Sequence, residues 1–348
     1  MSEAPEKSNV VERINSRDHR PADPFLMRVW EHVSHSPLQS LWDLKGLSLR
    51  KISTQIGRSF LDDNLLSRAA ELGYYFLFAL FPTLISASSI LGLAAQHASE
   101  IYVNLLNYLA LIVPPSAYNI VIETFKQTAM ASTGGKVVLG IAAALWSASV
   151  GFSAIQDGMN TVYKVKESRP YWKARGSAIL VTALLSAIVT LNLTVLFSGD
   201  YGSRWLLAYF VTHHWIGVVF SILLHTLSWI ISISLLMLLF GTIYYFAPDL
   251  KNKRWHWLTP GSTIGILTWV LASMGLRVYL HFFNSYSLTY GSLGAVIILL
   301  TWFYVTGLTL LLGAEVNSEI QASMAERELA SKGELPLSAD TMEAGQIA

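Results

Sequence analysis

The sequence contains no cysteine. That excludes disulfides, thiolate metal sites and cysteine nucleophiles together. It is also short of charge. Only 14% of its 348 residues are Asp, Glu, Lys or Arg, against roughly 25% in an ordinary globular domain. A deficit of that size means that much of the surface does not face water. The formal net charge is only +1, so no nucleic-acid partner is expected. A Gly-x-x-x-x-Gly-Lys-Ser/Thr phosphate loop, a Gly-x-Ser-x-Gly elbow and a His-Glu-x-x-His pair are all missing. The histidines are scattered, and no acidic cluster suggests a two-metal nuclease. No enzymatic activity, no cofactor and no metal are therefore expected.

What the chain has in quantity is apolar sequence: 53% of residues are hydrophobic, and the mean hydropathy is +0.44. A spanning helix needs about 20 mostly apolar residues. The sequence predicts an all-α polytopic membrane protein, a bundle of about six transmembrane helices. The expected spans are 70–95, 137–161, 177–197, 215–246, 261–283 and 292–314 within a membrane domain of 69–320. Residues 1–24 read as a disordered tail. Residues 25–68 read as amphipathic cytoplasmic or interfacial helices, and 321–348 as a cytoplasmic tail. Residues 101–124 are apolar but broken by Pro114-Pro115, so each half is too short to span; a helical hairpin on the outer face, surface-lying or re-entrant, is expected. No cleavable signal peptide is expected, because the first long apolar run starts only near Leu72.

Basic residues set the expected orientation, since Lys and Arg favour the cytoplasmic side of short loops. Lys45, Arg50, Lys51, Arg58 and Arg68 precede the first span. Lys164, Lys166, Arg169, Lys173 and Arg175 follow the second, and Lys251, Lys253 and Arg254 follow the fourth. The intervening loops are poor in both residues. Both termini are then expected in the cytoplasm.

Ionisable and polar groups within spans each call for a partner or a role. Ser149, Ser153, Gln156, Asp157 and Asn160 follow helical spacing as one polar stripe, which Tyr163 continues. Such a stripe faces neighbouring helices or water rather than lipid. Two readings stand: a polar pathway for a small solute or ion with Asp157 as a cation or proton site, or plain interhelical hydrogen bonding at ~1 kcal/mol per contact. Glu71, Tyr74 and Tyr75 share a face one turn apart at the start of the first span, and Glu315 and Glu319 close the sixth; each reads either as part of that pathway or as an ordinary helix-end group. Arg50, Lys51 and Arg58 flank an apolar stripe of Leu49, Ile52, Ile56 and Phe60 and suggest an anchor on anionic lipid. The expected partners are thus membrane lipids and an unidentified small solute or ion. Nothing in the sequence indicates an oligomer.

Several of these segments together resemble a known family. Ala69-Ala70-Glu71-Leu72-Gly73-Tyr74-Tyr75 through Leu80-Phe81-Pro82 is similar to the opening helix of the YihY/BrkB family of bacterial inner-membrane proteins. So are Leu145-Trp146-Ser147-Ala148-Ser149 with Asp157-Gly158-Met159-Asn160-Thr161-Val162-Tyr163, and Tyr244-Tyr245-Phe246-Ala247-Pro248. Tyr290-Gly291-Ser292-Leu293-Gly294-Ala295 and Gly313-Ala314-Glu315-Val316-Asn317 complete the resemblance. It implies a six-helix, multi-pass plasma membrane protein. It implies no settled activity, although the family has carried the label ribonuclease BN. The expectation taken forward is a transporter-like or exporter-like protein, with a structural or lipid-interacting envelope protein as the alternative.

Overall fold

A computed structural model describes residues 24–35, 49–95, 123, 134–209, 214–251, 253, 255, 258–282 and 292–333. The expected disordered tail, the outer hairpin apart from Glu123, and the last fifteen residues lie outside the described residues. Among the described residues the regular structure is all helix, joined by short turns and loops. Two short helices, α1 (Pro24–His35) and α2 (Leu49–Asp62), precede six long ones. These are α3 (Leu65–Ala95), α4 (Gly134–Val162), α5 (Tyr171–Tyr209), α6 (His214–Phe246), α7 (Pro260–Phe282) and α8 (Ser292–Ser331). Helices α4 to α8 are each long and apolar enough to cross a membrane. At 1.5 Å rise per residue, the 31 residues of α3 reach about 46 Å, and α3 packs into the same bundle against α4 and α8.

Each long helix packs on the next in chain order, and α8 returns to α3, so the neighbours form a closed circuit. Packing is concentrated at one end, here called the base, where α4 and α6 finish and α5 and α7 begin. The main core gathers there: Leu65 and Leu72 of α3, Phe152, Ile155 and Met159 of α4, Val181 of α5, Tyr244 of α6, Ile266 of α7 and Leu310, Leu311 and Ala314 of α8. Away from the base the helices show large apolar side chains on their surfaces, such as Phe81, Leu139, Phe220, Leu271 and Leu293. That is the surface a lipid environment solvates without cost.

Glycines set the tightest crossings at the base. A Cβ on Gly261 would stand 1.9 Å from the Gly313 carbonyl oxygen, and one on Gly313 would stand 2.2 Å from the Tyr244 hydroxyl. That hydroxyl donates to the Leu310 carbonyl at 3.0 Å. Asn317 caps α7, accepting from the Gly261 N–H at 2.8 Å and donating to Thr259 Oγ1 at 3.0 Å.

Two helices run past their expected spans. Helix α5 covers Tyr171–Tyr209, beyond the expected span of 177–197 at both ends. The glycines of the Gly199-Asp200-Tyr201-Gly202 segment serve close approach to α6: a Cβ on Gly199 would meet Ser228 Oγ at 2.1 Å, and one on Gly202 would meet Leu224 at 2.7 Å. Helix α8 continues to Ser331, far beyond the expected span end at 314. Its extension carries α1 and α2. Val29 and Val33 pack with Ala325 and Leu329, and Ile52 packs with Val316 and Ile320.

Candidate functional site

The polar stripe of α4 divides among three environments. Ser153 and Gln156 serve the α4–α5 contact, and Ser149 is buried with its hydroxyl bonded within α4. Ser149 Oγ donates to the Trp146 carbonyl at 2.6 Å and Ser153 Oγ to the Ser149 carbonyl at 3.1 Å. Gln156 Nε2 donates to Ser177 Oγ on α5 at 3.1 Å. Asn160 instead pins two loops. Its Oδ1 accepts from the Asp249 N–H at 2.7 Å, and its Nδ2 donates to Glu167 at 2.8 Å. Around it, Arg169 grips Glu167 with two hydrogen bonds of 2.6 and 2.7 Å and reaches the Ala247 carbonyl. Ser168 donates twice to Asp249. Hydrogen bonds from Arg169, against the cost of burial, hold the Glu167 carboxyl below its ordinary range. Burial acts to raise Asp249, but the Ser168 hydrogen bonds and the neighbouring cations outweigh it and hold that carboxyl low as well. Burial lowers the Lys253 ammonium to about 8, with the Arg169 charge acting in the same direction.

Asp157 is exposed, as is Glu71, and the two lie within electrostatic reach of one another and of Arg68. They form an acidic patch on the outside of α3 and α4, apart from buried Asn160. Tyr75 is half-buried and packs on the main core. The basic residues of α2 are also divided. Lys51 pairs with Glu326 of α8 at 3.7 Å, while Arg50 and Arg58 are exposed. The apolar stripe of Ile52, Ile56 and Phe60, expected to sit on lipid, packs on protein. Helix α8 simply offers it a nearer apolar surface.

The concentrated chemistry lies on α8. Glu315 is completely buried, and neither of its carboxylate oxygens has a hydrogen-bond partner among the described residues. Its electrostatic neighbours are Asp63, Lys164 and Glu319. Ser59 is close by, but its Oγ commits its one proton to Glu319 at 2.6 Å. Lys164 forms an ion pair with Asp63. Tyr163 is buried beside Glu315, and its hydroxyl meets Gln321. Burial raises the Asp63 carboxyl above its ordinary range despite the hydrogen bond from Lys164. Three carboxylates, two of them buried, thus share one partly exposed ammonium. Isolated charge in such a place costs several kcal/mol unless a proton or cation neutralises it.

The backbone shows how Lys164 is delivered. Helix α4 ends with the Val165 N–H bonded to the Asn160 carbonyl and the Lys164 N–H bonded to the Thr161 carbonyl. Lys164 sits at the left-handed position of this helix end with φ 54°, where glycine is the usual residue. A side-chain-bearing residue there costs about 1–2 kcal/mol. The strain aims the ammonium back at Asp63 and Glu315.

Of the residues singled out in sequence, the structure brings Tyr163 and Glu315 together, and separately Glu71 and Asp157. Sequence reading placed Glu319 with Glu315 at the end of the sixth span, as a water-exposed helix end or a site, whereas both are buried; it missed Asp63 and Lys164 as their companions, because these come from a turn and a helix end. Among the described residues no three His, Cys, Asp or Glu side chains converge as a metal ligand set.

Residues 56–335 match the family model described as Virulence factor BrkB. The ribonuclease-like protein YfkH of Bacillus subtilis is 31% identical over 72% of this chain and 88% of its own length. A UPF0761 membrane protein of Stenotrophomonas maltophilia is 25% identical over 76% of this chain, and one of Photobacterium profundum is 27% identical over 79%. The match covers 81% of the Photobacterium protein but only 59% of the Stenotrophomonas protein, so the chain spans about three fifths of the latter's length. No solved structure matches. Three of the motifs that carried the resemblance in sequence meet at the base: Tyr244 touches Gly313, Asn160 holds the loop after Pro248, and Glu315 lies beside Tyr163. The chain is a membrane protein that belongs to the Virulence factor BrkB family.

Proposed function

We propose that the protein is a transporter-like or exporter-like membrane protein in which Glu315 takes up and releases a proton or a small monovalent cation. One observation carries this reading: a fully buried carboxylate, with both oxygens unpartnered among the described residues, at the base of a bundle of spanning helices. An ionisable group so placed marks an ion or proton route by default. Lys164 supplies the internal counter-charge when the site is empty. Asp63 and Glu319 provide the adjacent acceptors through which a cation enters. The base faces the cytoplasm of a bacterial inner membrane, with both termini on that side; the Lys and Arg distribution supports that orientation. No enzymatic role is assigned.

Vesicles containing the purified protein and an internal pH-sensitive dye test the proposal. Under an imposed proton gradient, with Na+ or K+ opposite, the protein should collapse the gradient faster than protein-free vesicles. Glu315→Gln should fall at least ~10-fold, a loss of about 1.4 kcal/mol in barrier terms, while melting at or above the wild-type temperature. Wild-type rates equal to protein-free vesicles under every gradient would favour the alternative, a structural or lipid-interacting envelope protein. Glu315→Gln rates equal to wild type would remove Glu315 from the route.

A further inference from the structure

Arg175 stands at the second turn of α5, yet its guanidinium reaches into the bundle wall. One terminal nitrogen donates to Ser153 Oγ at 3.3 Å and the other to the Trp146 carbonyl at 3.2 Å. The guanidinium carbon lies 4.4 Å from the Trp146 ring centroid. None of the ion pairs among the described residues involves Arg175. Two of its five N–H donors are engaged, and the buried Nε has no partner among those residues. Two terminal N–H groups are left for a ligand.

The surroundings identify the ligand. Trp146, Tyr171 and Trp172 are 57%, 66% and 82% exposed on the bundle surface, and Lys173 beside them is exposed. Aromatic rings of this kind settle at the headgroup level of a bilayer. A guanidinium fork matches the paired oxygens of a phosphate better than an ammonium does. We infer that Arg175, with Trp146 and Ser153, forms a binding site for the headgroup phosphate of an anionic phospholipid where α5 crosses α4. The site is separate from Glu315 and stands or falls independently of the transport reading.

The test uses the full-length protein in a neutral detergent, melted during titration with phosphatidylglycerol, phosphatidylcholine or inorganic phosphate. Phosphatidylglycerol should raise the melting temperature saturably, and the other two should not. Arg175→Gln should weaken phosphatidylglycerol about fivefold, the equivalent of ~1 kcal/mol per basic residue at a headgroup. Arg175→Lys, which keeps the charge and loses the fork, should fall between. If Arg175→Gln does not fold, Trp146→Leu should show the same weakening through loss of the ring beneath the guanidinium. The inference is overturned if the variants that fold match wild type, or if phosphatidylcholine stabilises equally. It is also overturned if inorganic phosphate alone reproduces the shift, since the site would then take a free anion.

Discussion

Lys164→Ala is expected to destabilise the protein by about 2 kcal/mol, the cost of stripping the partner from an ion pair that is shielded on the carboxylate side and open to solvent on the ammonium side. The Asp63 side chain is only 9% exposed in that pair, and the ammonium is also a near positive charge for Glu315 and Glu319. Alanine removes the charge and keeps the strained left-handed backbone. Lys164→Gly removes both, so it should recover about 1 kcal/mol of the loss. Combining Lys164→Ala with Asp63→Asn should recover more, because the uncompensated carboxylate is gone. The defect has a pH sign. The folded-state Asp63 carboxyl binds its proton more readily than the unfolded one. Its folded state is therefore favoured at low pH and penalised as pH rises through that raised value. Without Lys164 the penalty grows, so the melting deficit should be larger at about pH 8 than at about pH 5. Thermal melts of the purified variants in detergent measure each of these. Equal losses for alanine and glycine would refute the strain argument, and a deficit indifferent to pH would refute the electrostatic one.

Gly261→Ala is expected to be at least as damaging, at about 3 kcal/mol or more. The new Cβ would stand 1.9 Å from the Gly313 carbonyl oxygen and 2.5 Å from Asn317 Cγ. The first obstacle is backbone, which cannot rotate aside. The second is the side chain that caps α7. Relief requires α7 to move off α8, which breaks the Gly261–Asn317 hydrogen bond and strands a buried N–H. Gly275→Ala on the same helix is the control. Nothing lies within 4 Å of a Cβ there, so alanine should be neutral or stabilise by up to ~1 kcal/mol through helix propensity. Wild-type melting of Gly261→Ala would show that the α7–α8 crossing is looser than described.

The helices were legible in sequence because apolar runs of spanning length have few other uses. The ends of those helices were less so. Gly199 and Gly202 lie past the expected end of the third span at 197, and only the approach of Ser228 and Leu224 shows that they are contact points. Arg175 reads as a loop cation when the third span is started at 177. Its place against Trp146 depends on α5 beginning at Tyr171 and lying beside α4. The polar stripe of α4 was visible, but periodicity gives only a face and not what covers it. Asn160 turned out to hold loops and Gln156 to hold α5, whereas Asp157 lies exposed. Glu315 was visible as a charge at a helix end. Its isolation was not, since the helix runs on past it to Ser331 and α2 and the Lys164 turn close over it.

The central claim is that Glu315 exchanges a proton and a small cation. Reaction with dicyclohexylcarbodiimide, an apolar reagent that modifies protonated carboxyl groups, addresses it most directly. After labelling of the membrane-embedded protein, fragment masses report which carboxylates carry the adduct. The account predicts an adduct on Glu315 that fades as pH is raised and on addition of Na+ or K+ at constant pH. Labelling confined to exposed carboxylates such as Glu71 and Asp157, or labelling of Glu315 indifferent to both pH and cation, would contradict it.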